Sequence, residues 1–266
     1  MKILFIGAGK MATAIAGGLL KSDTFTPGNI CAADISENAR KAFTEKTGIQ
    51  CSESPDAFLG NADIIILAVK PQYAREAVEP IAKKCADKLI ISIAAGLTLA
   101  SLTAWFGHKR IVRTMPNTPL MVGCGATVYA PADDVSAGDC ENTEKIFRAS
   151  GIVYRVQENA IDAVTAVSGS GPAYIFEIMD SMKEAGIECG LSEELALILT
   201  AQTVKGAGEM ILQSMGTPCE LRKAVTSPGG TTEAALKVMD SGGFRELMKK
   251  AVKAAYNRSL ELGGEK

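Results

Sequence analysis

The sequence predicts an α/β fold, a doubly wound parallel sheet followed by an all-α domain. In the first 157 residues, short apolar runs of strand character alternate with segments of helical spacing, the order that builds a parallel sheet covered by helices. Beyond residue 157 the strand-like runs stop, and the remaining segments have helical character. We therefore place one domain at residues 1–157 and a second at 158–266.

The first domain begins with a strand over 2–7, a glycine turn and a helix over 9–21. The run ADIIILAV at 62–69 is apolar without interruption, which predicts a strand buried on both faces. Further strands are predicted at 30–34, 89–94, 110–115, 126–130 and 152–156. Further helices are predicted at 37–47, 72–84, 97–106 and 135–150.

The second domain is predicted to be helical throughout. Its helices are placed at 158–167, 172–185, 192–214, 218–225, 232–240 and 244–262. Ser192, followed by Glu193 and Glu194, is typical of a helix N-terminus, because the hydroxyl caps the first turn and the acids complement the helix dipole. Several of these helices carry apolar faces that one short domain cannot cover, so we expect the core to be completed by a second subunit.

Composition and charge exclude several classes of function. The net charge of −2 offers no field for nucleic acid, and the seven cysteines form no CxxC pair, a pattern typical of reduced thiols in the cytoplasm. A single histidine, His108, makes a metal site improbable on composition alone. The uncharged stretch 89–106 contains polar residues and a glycine, so we expect a strand, a turn and a helix there and no membrane span.

The glycine turn after the first strand is the strongest local motif. Gly7, Gly9 and Ala12 form GxGxxA between a strand and a helix. In a dinucleotide-binding (Rossmann) unit, the first glycine permits the turn, the second lets backbone amides approach the pyrophosphate, and the small third residue allows close packing of helix on strand. The predicted cofactor residues of this turn are Gly7, Ala8, Gly9, Lys10, Met11 and Ala12.

The end of the second strand bears on the choice of cofactor. Asp34 stands where an acid usually binds the ribose hydroxyls of NAD and repels a 2′-phosphate. Ser36, Asn38 and Arg40 follow, and an arginine nearby can accommodate that phosphate. From these residues both NAD(H) and NADP(H) stay open.

Three further loops follow strands at the edge where open α/β sheets bind ligands. Two supply predicted cofactor residues, namely Ala68, Val69, Lys70, Pro71, Ala94, Ala95 and Gly96. In the third, RTMPNTP, Asn117 could bind the nicotinamide ribose or simply hold the turn, and we count it among the substrate-binding candidates. Each loop alone fits a structural turn. Together on one edge they indicate a cofactor cleft.

Near the C-terminus, SPGGTTEAAL (227–236) opens a helix with two bare glycines. Thr231 or Thr232 would cap that helix, yet a cap requires only one such residue. Glycine amides beside a helix N-terminus form an anion site. We therefore expect a bound anion here.

The stretch GSGPAYI (169–175) bears on the reaction. The β-hydroxyacid dehydrogenases carry a lysine as the acid–base group at the last position of this pattern, where this chain has Ile175. Reduction of a ketone needs a proton donor at the oxygen, whereas a protonated imine accepts hydride directly. The missing lysine therefore favours an imine as substrate.

Six segments in order resemble the pyrroline-5-carboxylate reductase family. They are FIGAGKMATAI, ILAVKPQ, RTMPNTP, VSGSGPAY (167–174), TSPGGTTEAAL (226–236) and SGGFRELMKKAV (241–252). The resemblance covers essentially the whole chain, and the SPGG element is its most specific motif. It implies a cytoplasmic enzyme that reduces a cyclic imine acid with NADPH or NADH in the last step of proline synthesis.

The resemblance also implies the site and the assembly. The substrate would lie between a Rossmann domain and a helical dimerisation domain, with its carboxylate on the turn of Ser227, Gly229, Gly230 and Thr231 and with Thr232 as the catalytic residue. Members form homodimers and commonly rings of dimers. They often carry a small or polar residue where this chain has Asp34, so the cofactor preference stays open.

Two alternatives remain at this point. A Rossmann protein can bind NADP as a sensor without turnover, although the intact SPGGTT turn argues against this. A reductase of another cyclic imine or of a small keto acid is the second alternative, and Ile175 argues against the keto acid.

Overall fold

The computed structural model describes residues 1–22 and 25–264, so the last two residues of the predicted second domain lie outside it. Eight strands form one sheet in the order β3-β2-β1-β4-β5-β6-β7-β8. The strands are β1 Ile3–Ile6, β2 Ile30–Ala33, β3 Cys51–Ser52, β4 Ile64–Leu67, β5 Leu89–Ser92, β6 Ile111–Met115, β7 Gly125–Pro131 and β8 Gly151–Arg155. The order reverses at β1, the arrangement of a doubly wound sheet, and confirms the predicted fold class.

Two strands depart from the prediction of a wholly parallel sheet, because β7 and β8 run opposite to the other six. β7 runs antiparallel to β6, while the other neighbouring strands pair in parallel. Only the short 3-10 turn Thr118–Val122 joins β6 to β7. A parallel pair needs a crossover of a dozen or more residues, so this connection allows only the antiparallel direction.

Helices of the sheet-containing part follow the predicted order, and most of them have shifted ends. They are α1 Lys10–Lys21, α2 Glu37–Thr47, α3 Asp56–Leu59, α4 Pro71–Val78, α5 Leu99–Phe106, α6 Ala137–Arg148 and α7 Ile161–Val164. The prediction missed β3 and α3, which are too short to show a period. The helix predicted at 72–84 ends at Val78, because Pro80 lacks an amide donor, and a 3-10 turn over Ala82–Cys85 follows.

Both faces of the sheet are buried. Ile3 and Phe5 of β1 point into one apolar cluster, and Leu4 and Ile6 point into the other. Alternate side chains of a strand point to opposite faces, so a strand between two helical layers must be apolar at every position. The same reason explains the uninterrupted run Ile64–Leu67 in β4.

Contacts divide the chain into two compact units. One comprises residues 1–170 together with 255–266, and the other comprises 171–254. The return of the last residues to the first unit follows from α12 (Phe244–Leu262), the end of which contacts Gly96. The predicted boundary between 157 and 158 stays a prediction.

A buried arginine on β6 joins the sheet to three other parts of the first unit. Arg113 on β6 is 3% exposed, and its guanidinium lies 3.2 Å from Glu158 Oε1 and 3.6 Å from Asp162 Oδ1. Glu158 also accepts a hydrogen bond from the Leu99 amide at 2.6 Å, and Ser259 of α12 donates one to Asp162 at 2.6 Å. One cation therefore holds the sheet, the start of α5, the segment after β8 and the end of α12.

The second unit is helical, as predicted. It contains α8 Gly171–Glu188, α9 Glu193–Leu212, α10 Pro218–Ala224, α11 Thr231–Ser241 and most of α12. Ser192 caps α9 through a hydrogen bond from the Leu195 amide, as the sequence indicates. Only Ala196 and Thr200 of α9 are buried.

Large apolar side chains of α9 are exposed within a single chain. They include Leu195, Leu197, Ile198, Leu199, Ile211 and Leu212. By length and composition α9 could also cross a membrane, with a mean hydropathy of 1.3 and 11% of the stretch buried. A single helix of this kind is weak evidence for a span, since the core helix of a soluble assembly has the same composition. The stretch 89–106 is β5 and α5, as predicted.

Candidate active site

The predicted cofactor loops of the first unit share one edge of the sheet. Strands β2, β1, β4, β5 and β6 are parallel, so the loops that follow them emerge on the same side. The Gly7 amide donates to the Ala33 carbonyl, and the Ala68 amide donates to the Ile6 carbonyl, each at 2.8 Å. The glycine turn therefore lies directly between the ends of β2 and β4.

Gly7 is required by the fold itself. Its φ of 101° is unfavourable for any residue with a side chain, and a Cβ there would lie 2.7 Å from the Ala68 carbonyl oxygen. Ala8 and Ala12 are buried. Small residues at these positions let α1 pack closely on the sheet, as the motif predicts.

Gly9 differs from Gly7 because the fold does not require it. Its backbone is extended, at φ −74° and ψ −175°, which any residue adopts. Among the described residues, no atom lies within 4 Å of the position that a Cβ would occupy. Gly9 is the N-cap of α1, and no side chain caps this helix. A glycine that the fold does not need, beside uncapped helix amides, fits a pyrophosphate that must approach the backbone.

Asp34 follows β2 and faces this turn. Its Oδ2 accepts a hydrogen bond from the Ala8 amide and its Oδ1 accepts one from the Ser36 amide, each at 2.8 Å. Nη1 of Arg40 donates to the backbone carbonyls of Asp34 and Ile35 at 2.8 and 2.9 Å. The carboxylate is thus fixed beside the glycine turn, and the arginine holds the backbone of the same loop.

The loops after β4 and β5 differ in character. Lys70 is exposed and is the N-cap of α4, and Pro71 begins that helix, while Ala68 and Val69 are half-buried. In the second loop Ser92 Oγ accepts a hydrogen bond from the Ala94 amide at 3.3 Å. Gly96 has a φ of 77°, and a Cβ there would lie 3.2 Å from the Leu262 Cβ. The close approach at Gly96 is therefore to α12.

Asn117 is 8% exposed and bonded at both ends of its amide. Its Nδ2 donates to the Ser168 carbonyl at 3.1 Å, and its Oδ1 accepts from the Ala126 amide at 2.9 Å. These bonds hold the turn between β6 and β7, the structural alternative that the sequence left open. A role of Asn117 toward the substrate stays a prediction.

The SPGGTT turn lies in the second unit. α11 begins at Thr231 with Gly230 as its N-cap, and no side chain caps it. The expectation that Thr231 or Thr232 caps this helix is therefore wrong. Both threonines lie inside the first turn, because the two glycines allow the chain to enter the helix one residue earlier.

Two amides of the turn are already bonded. The Gly230 amide donates to the Ser227 carbonyl at 3.0 Å, and the Gly229 amide donates to Glu233 Oε2 at 3.0 Å. Within the part of the chain that the structure describes, the amides of Thr231 and Thr232 donate no hydrogen bond. An anion at this helix start would therefore bind the Thr231 and Thr232 amides, one step further along the chain than Gly229 and Gly230.

Glu233 is the residue that sequence reasoning missed. Besides accepting from Gly229, its Oε2 lies 3.3 Å from Lys237 Nζ. An acid at the third helical position commonly reaches back to the backbone before the helix, so this spacing was the available signal. A Cβ at Gly230 would lie 2.5 Å from Ser227 Oγ, and Gly229 has a φ of 71°. The turn itself therefore requires Gly229, whereas a side chain at Gly230 would require the Ser227 hydroxyl to move.

Two half-buried thiols, on β2 and β3, have raised pKa values. Burial raises the pKa of Cys51 to about 11, and the nearby Asp34 carboxylate adds to the rise. Burial likewise raises the pKa of Cys31 to about 11. In residues 1–22 and 25–264, no group of three or more His, Cys, Asp or Glu side chains could hold a metal ion.

Two family models match separate parts of the chain. Residues 2–96 match a model described as NADP oxidoreductase, coenzyme F420-dependent. Residues 158–262 match a model described as pyrroline-5-carboxylate reductase dimerisation. The first match covers the strands and loops that form the dinucleotide edge, and the second covers the SPGGTT turn.

Several relatives matched along the whole chain share one name. Pyrroline-5-carboxylate reductase of Pseudomonas aeruginosa is 45% identical over 98% of this chain and 96% of its own length. The Arabidopsis thaliana protein of that name is 40% identical over 98% and 95%. The Coxiella burnetii structure is 42% identical at a TM-score of 0.90, with 98% of each chain covered. The Plasmodium falciparum structure, with NADP bound, is 33% identical at 0.91, with 99% of this chain and 98% of that one covered. The resemblance seen in the six sequence motifs is confirmed: this chain belongs to the pyrroline-5-carboxylate reductase family.

Proposed function

We propose that this protein reduces 1-pyrroline-5-carboxylate to L-proline with NADPH or NADH, the last step of proline biosynthesis. The observation that carries the proposal is identity of 40–45% along the whole chain to proteins of that name. The glycine turn with its uncapped helix and the SPGGTT turn with its two unbonded amides supply the chemistry that this reaction needs.

The second unit would hold the substrate by its carboxylate. The Thr231 and Thr232 amides stand at the start of α11, where the helix dipole and unpaired donors favour an anion. The adjacent Gly229 and Gly230 amides are committed within the turn. They keep the first turn of α11 in place, so that the two free amides need no rearrangement to bind.

Catalysis would then be mainly a matter of position. The nicotinamide cofactor supplies the hydride when bound to the first unit. The substrate imine carries its own proton, so hydride addition to the C=N carbon gives the secondary amine and no residue has to donate. Ile175, where related dehydrogenases carry a lysine, agrees with this. Thr232 would orient the imine nitrogen, and correct orientation supplies much of the rate.

Thr232→Ala should lower kcat/KM for the imine acid by roughly 10- to 100-fold, because one hydrogen bond to a charged group is lost. Thr232 caps nothing, so Tm should hardly change. Cofactor affinity should also hold, because the glycine turn belongs to the other unit. Thr232→Ser, which keeps the hydroxyl, is the matched control and should retain most activity. Normal turnover by the alanine variant would remove Thr232 from the mechanism.

The activity itself is tested by following oxidation of NADPH and of NADH with pyrroline-5-carboxylate as substrate. Oxidation should require the imine acid and should yield proline. Cofactor binding without any oxidation would instead indicate a sensor. Faster oxidation with a small keto acid would indicate a different reductase.

The enzyme is a homodimer, since its helical part matches a dimerisation family. We place α9 in that interface, because its apolar side chains are exposed in one chain. Burial of this helix against a second copy also explains its hydropathy without a membrane, and we propose a cytoplasmic location. A ring of dimers is a further proposal.

Light scattering should therefore give at least twice the 27.9 kDa of one chain. Ile198→Lys should shift the protein toward monomer, because Ile198 is 56% exposed in one chain and a charge there costs little unless it is covered. A wild-type protein that stays monomeric at micromolar concentration would contradict this interface.

A further inference from the structure

An acid in a fixed position lies where the adenosine of the cofactor would bind. Asp34 lies at the carboxyl end of β2, and both of its oxygens already accept a backbone hydrogen bond at 2.8 Å. A carboxylate oxygen can accept more than one hydrogen bond and cannot donate any. The remaining lone pairs therefore suit hydroxyl donors.

We propose that Asp34 makes this enzyme prefer NADH to NADPH, an inference that rests on the proposed function. The 2′-hydroxyl of the adenosine ribose donates to a carboxylate, whereas a 2′-phosphate brings a second negative charge to it. The Ala8 and Ser36 amides prevent the carboxylate from turning away, because a different rotamer would break both bonds. The repulsion is thus built into the position of the acid.

Arg40 is the residue that could offset this charge. Its Nη1 is committed to the Asp34 and Ile35 carbonyls at 2.8 and 2.9 Å. These bonds direct one side of the guanidinium toward the backbone of the loop. Glu37, in the first turn of α2, pairs with Lys41 at 2.6 Å, so its charge is already compensated. The arginine therefore stabilises the loop that carries Asp34, and the Nη1 that it uses is committed to the backbone of that loop.

Ile35 supplies a second observation at the same place. Its side chain is 89% exposed, although isoleucine is usually buried. It directly follows Asp34, at the end of the strand where the adenosine would lie. An exposed apolar side chain next to a ribose-binding acid offers a surface for the adenine face. Ile35 would contact the adenine of either cofactor, so the discrimination between NADH and NADPH rests on Asp34.

Isothermal titration of the whole enzyme with NADH and with NADPH, in the absence of imine acid, tests the proposal. NADH should bind wild type more tightly by at least roughly 10-fold. Asp34→Ser should shift the affinity ratio toward NADPH by roughly 10- to 100-fold. Asp34→Asn removes the charge and keeps the shape, so it should shift the ratio in the same direction even if the serine variant folds poorly.

Two further variants test whether the NADH preference comes from Asp34 alone, and not from other nearby charges or from Arg40. Glu37→Gln changes an exposed acid that pairs with Lys41 at 2.6 Å, and it should leave the ratio nearly unchanged. Arg40→Gln should not weaken NADPH selectively. The proposal is overturned if wild type binds NADPH as tightly as NADH, if neither Asp34 variant moves the ratio, if Glu37→Gln moves it equally, or if Arg40→Gln selectively abolishes NADPH binding.

The same titrations keep this inference distinct from the proposed function. Tight NADH binding that responds to Asp34, without oxidation by pyrroline-5-carboxylate, would contradict the reductase activity and leave the cofactor preference standing. Proline formation with a preference for NADPH would support the reductase activity and contradict the proposed preference for NADH.

Discussion

Gly9→Val should weaken the binding of NADH and NADPH by roughly 100-fold or more, the loss of about two charge-assisted hydrogen bonds to the pyrophosphate. The side chain would stand where the phosphates must approach the backbone of the α1 N-terminus. The fold should tolerate the change, because Gly9 has extended dihedral angles and no described atom lies within 4 Å of its Cβ position. Tm should therefore stay close to that of wild type.

Gly17→Val is the matched control for this variant. Gly17 lies in the same helix, and again no described atom would contact its Cβ. It is two turns away from the cofactor edge, so cofactor affinity should be retained. Fluorescence titration measures the affinity and thermal unfolding measures Tm. Unchanged cofactor affinity in Gly9→Val would contradict the dinucleotide site on this turn.

Gly7→Ala should differ from Gly9→Val in lowering the stability of the fold. At Gly7 the positive φ and the 2.7 Å approach to the Ala68 carbonyl oppose a side chain in the fold itself. We expect a lower Tm together with any loss of cofactor binding. Comparing Tm and cofactor affinity in the two variants thus separates the role of Gly7 in the fold from the role of Gly9 in cofactor binding.

Arg113→Met should destabilise the protein by about 3–5 kcal/mol, the usual cost of removing one partner of a buried ion pair. Asp162, which is 12% exposed, and Glu158, which is 33% exposed, would lose a partner whose side chain is 4% exposed, so the lower end of this range is expected. The loss should loosen the segment after β8 and the end of α12 together, because both depend on these carboxylates. Denaturant unfolding measures the free-energy change.

Arg75→Met is the matched control for Arg113→Met. Arg75 also pairs with a glutamate, Glu79 at 2.8 Å, but both side chains are at least 60% exposed. Such surface pairs contribute about 0–1 kcal/mol. Equal and small effects of the two variants would show that Arg113 does not join these parts of the first unit.

The sequence predicted those elements that local pattern decides. The helix predicted at 37–47 has these residues as its observed ends: Ser36 caps the start, and Gly48 takes a left-handed conformation after the end. The buried strand β4 followed from its uninterrupted apolar run. β3 and α3 were missed, because two and four residues are too few to establish a period.

The cofactor turn was predictable for the same local reason. Within six residues, GxGxxA specifies a sharp turn, a backbone that a pyrophosphate can approach, and a helix that packs closely on the strand. Each of these is a property of the chain near that point. The anion site on SPGGTT stays a prediction. The sequence could not show which amides of this turn are free, because Glu233 accepts from the Gly229 amide through a side-chain rotamer that spacing alone does not fix.

The sequence by itself determined the fold class, the alternation of strands and helices, the dinucleotide motif and the family. These follow from periodicity, glycine positions and short motifs, which are local. The tertiary structure decided that Asn117 is bonded at both ends, that Gly96 meets α12, that Arg113 joins three distant segments and that Asp34 lies against Ala8. Each of these contacts joins residues from different elements, and their partners are chosen by how the elements pack, which no local pattern specifies.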